Sequence, residues 1–104
     1  MDLTGKWQIK NQSGSYYVRQ LDDKIFWYGE EASTNPYWSN IAYGTIESNA
    51  IVKLTWVDVP KGTTISDGSV VLNISDSGQE MTVESQTGGF GSRVFQKIEK
   101  LVEA

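Results

Sequence analysis

Apolar residues in this chain recur at every second position almost from end to end, and not at the 3.6-residue spacing of a helix. A period of two belongs to a strand with one covered face, because successive side chains point to opposite sides of the pleat. Leu3, Gly5, Trp7 and Ile9 alternate with Thr4, Lys6, Gln8 and Lys10. Val52, Leu54 and Trp56 alternate with Lys53 and Thr55, and Val70, Leu72 and Ile74 with Val71 and Asn73. The runs are short, rich in Val, Ile, Tyr, Phe and Trp, and separated by Gly, Asn, Asp and Ser clusters. The chain is therefore read as all-β.

The spacing predicts strands over residues 3–10, 15–21, 24–30 and 38–46, and a fifth ending at Val59-Pro60. A sixth runs through Val70 to Ile74, a seventh carries Met81 and Val83, and an eighth spans residues 93–98. Ile25, Phe26, Trp27 and Tyr28 put apolar groups on both faces of the third run, the mark of a strand covered on both sides. Residues 31–36, with Pro36, and residues 61–68 read as the longer loops. Eight strands with hairpin-length connections and no crossover helix suit an eight-stranded antiparallel up-and-down β-barrel, which leaves no open edge; a β-sandwich is the alternative. At 104 residues this is one domain, 1–104. In the tail, residues 99–104, helical spacing of Ile98, Leu101 and Val102 points to one closing helical turn or a frayed end.

Composition removes several chemistries. The chain has no cysteine and no histidine, so it lacks disulfides, thiolate metal sites, Ser-His triads and the commonest general base. Net charge is −4 and the nine basic residues are scattered, without the clustered footprint that nucleic acid needs. No apolar run approaches the roughly 20 residues of a membrane helix, so no membrane partner is expected. The N-terminus lacks signal-peptide features, giving a cytoplasmic expectation as written, or a secreted or periplasmic one if a leader has been removed. Thr87-Gly88-Gly89-Phe90-Gly91 has neither the Lys-Ser/Thr nor the helix of a phosphate loop and reads as a wide hairpin. Glu30, Glu31, Asp58, Asp67 and Glu84 show no catalytic spacing, so no enzyme activity and no cofactor are expected.

Leu3-Thr4-Gly5-Lys6-Trp7 resembles the first-strand signature of the avidin and streptavidin group, and Asn11, Gly14 and Ser15 resemble the Asn…Gly-Ser that follows it there. Tyr43-Gly44-Thr45 and Trp56 come in a similar order to that family's. Residues 57–104 hold no tryptophan, where that family has two serving the pocket. The Gly-x-Trp opening is also similar to lipocalin-like barrels. Either resemblance implies a ligand cavity at one mouth, walled by aromatic rings and floored by polar groups.

Four Trp, five Tyr and three Phe exceed what one small core hides, since each offers about 150–250 Å² for burial. Trp7 is expected to plug the base. Trp56 shares the face of Val52 and Leu54, as core or as pocket wall. Trp27, Tyr28, Tyr37 and Trp38, with Phe26, flank the loop at 31–36, where binding groups concentrate; subunit packing or a second hydrophobic layer is the other reading of this cluster. Asn11, Ser13, Ser15, Asn40 and Tyr43 are candidates for directed hydrogen bonds. Asp58 follows the inward parity of Trp56, either as a ligand acceptor or as a loop cap. The expected partner is a small molecule bound at the mouth beside residues 31–38, without catalysis; a carbohydrate or protein platform is the alternative, and a homodimer is left open.

Overall fold

The structure, a computed structural model, describes residues 2–10, 14–48, 50–91 and 94–100. Its strands are β1 (Gly5–Ile9), β2 (Ser15–Leu21), β3 (Lys24–Glu30), β4 (Ser39–Glu47), β5 (Ile51–Asp58), β6 (Asp67–Ile74), β7 (Glu80–Gln86) and β8 (Val94–Lys100). Each pairs antiparallel with its sequence neighbours, and β8 pairs back onto β1, closing an up-and-down barrel. Closure needs bent strands, and two register shifts supply the bend: between Lys6 and Trp7 against β8, and between Val71 and Leu72 against β7.

Inward residues follow the alternation read from the sequence. Leu3, Trp7, Val18, Ile25, Val52, Leu54, Val70, Leu72, Met81 and Phe95 are buried in one cluster. Large and small side chains alternate around the bore: Trp27 pairs across the ladder with Ala42, Ala42 with Trp56, and Trp56 with Gly68. Gly29 makes room for the Tyr16 ring beside it, since a Cβ there would collide with the ring carbons. Trp7 seals the base, fully buried, with its Nε1 donating to the Leu3 carbonyl at 2.8 Å and the Lys97 ammonium 6.0 Å from the ring centroid.

Three expectations are corrected. Glu99 and Lys100 belong to β8, pairing with Lys6 and Gly5, and not to a helical turn, because closing the seam gives the β1 backbone its ladder partners; residues 101–104 lie outside the described residues. The outer face of β3 is not covered: Phe26 is 46% exposed. Trp38 precedes β4, which begins at Ser39.

Candidate functional site

The β2–β3, β4–β5 and β6–β7 connections are tight and share one end of the barrel; the longer β3–β4, β5–β6 and β7–β8 loops share the other. The longer loops are tied together. Ser39 Oγ donates to the Val59 carbonyl and accepts from Lys61 N at 3.0 Å; Thr64 N and Oγ1 both donate to the Tyr37 carbonyl, at 3.4 and 3.2 Å. Lys61 also bridges to Glu30 at 3.3 Å, which raises the lysine pKa through the Glu30 hydrogen bond. Glu31 Oε1 accepts from Ser33 Oγ and Tyr37 N, closing residues 31–37 on themselves.

Between these loops opens a cavity of about 320 Å³, lined by Tyr16, Trp38, Trp56, Phe90, Asn40, Asp58, Thr64 and Ser66, among others. Tyr16, Trp38, Trp56 and Phe90 contribute its rings, with Trp27 and Phe95 packed behind them. Tyr16 lies 5.6 Å from Trp38 and stands edge-on to Trp27 and Phe95 at 5.2 and 4.8 Å, distances at which aromatic pairs attract. Phe90 enters from the β7–β8 loop and packs 5.9 Å from Trp27, 5.4 Å from Trp56 and 6.2 Å from Phe95. The loop turns sharply enough because Gly88, Gly89 and Gly91 all adopt φ +78°, which a side chain would resist. Trp56 Nε1 donates to the Thr87 carbonyl at 3.1 Å and ties this loop to the wall.

Two polar residues stand opposite one another in the ladder at the cavity, Asn40 on β4 and Asp58 on β5. Asn40 is only 5% exposed, and its Oδ1 accepts from Trp27 Nε1 at 3.1 Å. Asp58 Oδ2 accepts from Ser66 N at 3.0 Å, while Asp58 N donates to the Ser66 carbonyl. The carboxylate thus caps the loop and lines the cavity at once. No side chain of Lys or Arg among the described residues lines it, and no group of three acidic residues suited to a metal ion occurs among them.

Of the residues read from the sequence, Trp38, Asn40, Trp56 and Asp58 come together at the cavity, with Trp27 directly behind Asn40. Four others do not. Tyr28 and Tyr43 have the outward parity of β3 and β4, where Tyr28 lies under Lys61 at 5.9 Å and Tyr43 is 51% exposed. Ser15 has the parity opposite to inward Tyr16, and Tyr37 projects from the loop, 69% exposed. Asn11 and Ser13 fall outside the described residues. Tyr16 and Phe90 were missed. The signal for Tyr16 was its two-residue step from Val18 beside a glycine on the next strand; Phe90 was hidden inside a glycine run read as a turn. The chain matches no family model, no curated protein and no solved structure among those compared.

Proposed function

We propose that the cavity at the loop end is a non-catalytic binding site for one small organic molecule. The observation that carries this reading is a half-open cavity of about 320 Å³ lined by the rings of Tyr16, Trp38, Trp56 and Phe90, with polar groups at two facing positions. That volume is at the lower end of ligand pockets, about 300–1,000 Å³, and matches a ligand of one or two rings. Water exclusion by the rings supplies affinity, and the polar pair supplies orientation. The resemblance to avidin-like and lipocalin-like barrels implies a ligand cavity at one mouth, which supports the reading through form alone.

The test is a thermal-shift screen of the chain against biotin, fatty acids, small aromatic metabolites and sugars. A ligand at about a hundred times its Kd adds about 2.7 kcal/mol and raises Tm by about 10 °C or more in a domain this size. The shift should vanish in Trp38→Ala, whose ring is half-buried at the mouth. Flat curves across the panel would count against a ready-formed pocket.

A second reading rests on the outer wall. Tyr17, Phe26, Ile41 and Tyr43 are exposed on β2, β3 and β4, with Tyr28 between them, and form two cross-strand rows. Such a patch suits a protein platform or a homodimer. Sedimentation equilibrium of the chain and of Phe26→Ser/Tyr43→Ser tests it: a dimer lost in the double variant supports the wall as an interface, and a monomer at all concentrations removes the dimer.

A further inference from the structure

We infer that the cavity selects flat, uncharged ligands carrying a carboxamide or lactam edge, a C=O acceptor beside an N–H donor, and turns carboxylates away. This rests on the small-molecule reading of the cavity and assigns its ligand class. The argument begins with an indole. Trp27 Nε1 can only donate, so the Asn40 atom 3.1 Å from it is the carbonyl oxygen. That bond fixes the orientation of the amide and leaves Nδ2 pointing elsewhere. Nδ2 has no hydrogen-bond acceptor among the described residues, and no buried side-chain nitrogen or oxygen among them lacks a partner, so Nδ2 opens to the cavity that Asn40 lines.

Asp58 stands directly opposite on β5, a placement that sets Cβ atoms about 4.5–5.5 Å apart. Its Oδ2 is taken by Ser66 N–H, and Oδ1 has no hydrogen bond to a described residue. The wall therefore presents one donor, Asn40 Nδ2, beside one acceptor, Asp58 Oδ1. A carboxamide or lactam matches both: its carbonyl accepts from Nδ2 and its N–H donates to Oδ1. A ligand carboxylate offers two acceptors, one of them set against the Asp58 carboxylate, with no described basic side chain lining the cavity to offset the repulsion. A ligand with two donors meets the Asn40 amide hydrogens. The rings of Tyr16, Trp38, Trp56 and Phe90 favour a planar body behind that edge.

Matched pairs that differ only in this edge make the test: nicotinamide against nicotinate, and indole-3-acetamide against indole-3-acetate, with indole as a probe lacking the edge. Titration calorimetry on the full chain should give each amide an affinity about tenfold or more above its acid, the scale of one like-charge contact near a protein surface. The Asn40 side-chain NH₂ resonances should move on adding the amides, a readout that needs no variant. In Asp58→Asn the amide side chain keeps a carbonyl for Ser66 N–H and turns a donor to the cavity, so the preference should fall to about one or invert. Equal affinities, or tighter acids, overturn the inference and leave the pocket intact. Indole binding as well as the amides does the same. Failure of all five probes overturns the inference and counts against the pocket as well.

Discussion

Replacing Trp27 by Phe removes one hydrogen bond and part of one ring, and the structure permits both losses to be sized. Trp27 Nε1 is the donor that satisfies Asn40 Oδ1, and Asn40 is 5% exposed, so its carbonyl loses its partner in a site that water barely reaches. A stranded acceptor of this kind costs about 1–3 kcal/mol. The missing half of the indole leaves a void between Tyr16, Phe90 and Phe95; Tyr16 and Phe90 are each already packed on Phe95, which limits how far they can collapse into it. That void adds about 1 kcal/mol. The expected loss is about 2–4 kcal/mol, a fall in Tm of about 10–25 °C, measured by urea unfolding followed by far-ultraviolet circular dichroism. The decisive step is a cycle with Asn40→Leu, which removes the acceptor. If the bond forms, Trp27→Phe costs less on the Asn40→Leu background, with a coupling of about 1 kcal/mol or more. Additivity within about 0.3 kcal/mol would refute the fixed amide on which the ligand-class inference depends.

Three further outcomes follow from the same packing. Gly29→Ala drives a Cβ into the Tyr16 ring and should cost about 1–3 kcal/mol in chemical denaturation, an increment that largely disappears when the same change is made on a Tyr16→Ala background; an undiminished increment there would mean the ring is not the obstacle. Phe90→Ala removes the ring standing between Trp27 and Trp56, so acrylamide quenching of tryptophan fluorescence should rise; unchanged quenching would show that Phe90 does not shield them. The Asp2 carboxyl is held below the usual carboxylate range, chiefly by the hydrogen bond from Thr4 N at 2.9 Å. A depressed folded pKa gives stability present above the unfolded value and lost as pH falls through the folded one, so Tm of the wild type should exceed that of Asp2→Asn near neutrality and converge on it in acid. A gap that persists in acid would assign the effect to something other than this titration.

The strands were legible because one face of each is buried, and a one-residue slip would expose the whole set. Val52, Leu54 and Trp56 are an example: their alternation placed Asp58 at the mouth without any structure. Legibility failed where aromatics stand side by side. Tyr16 and Tyr17, or Trp27 and Tyr28, carry no sign of which ring turns inward until a neighbouring strand supplies the glycine or alanine that makes room. Tyr43 was ambiguous for another reason, since hydroxyl-bearing rings suit both a wet outer wall and a cavity. Thr64 and Ser66 were unreadable as cavity residues because their position is set by backbone hydrogen bonds to Tyr37 and Asp58, contacts that no local pattern announces.

The seam between β1 and β8 separates the order of folding from the order of the chain. Every other ladder joins strands adjacent in sequence and can zip from its own turn, whereas the seam pairs Gly5 with Lys100 and carries a hydrogen bond between groups 95 residues apart, Lys97 Nζ to the Asp2 carbonyl. A contact of that span requires the costliest loop closure in the molecule and gains little until the hairpins between have formed. Closure is therefore the late event. Truncating Ile9 or Phe95 should mainly hasten unfolding, and truncating Val52 or Leu72, in the ladder of β5 and β6, should mainly slow refolding. The same late seam makes the open eight-stranded sheet, with two free edges, the species most prone to pair with another chain before the barrel shuts.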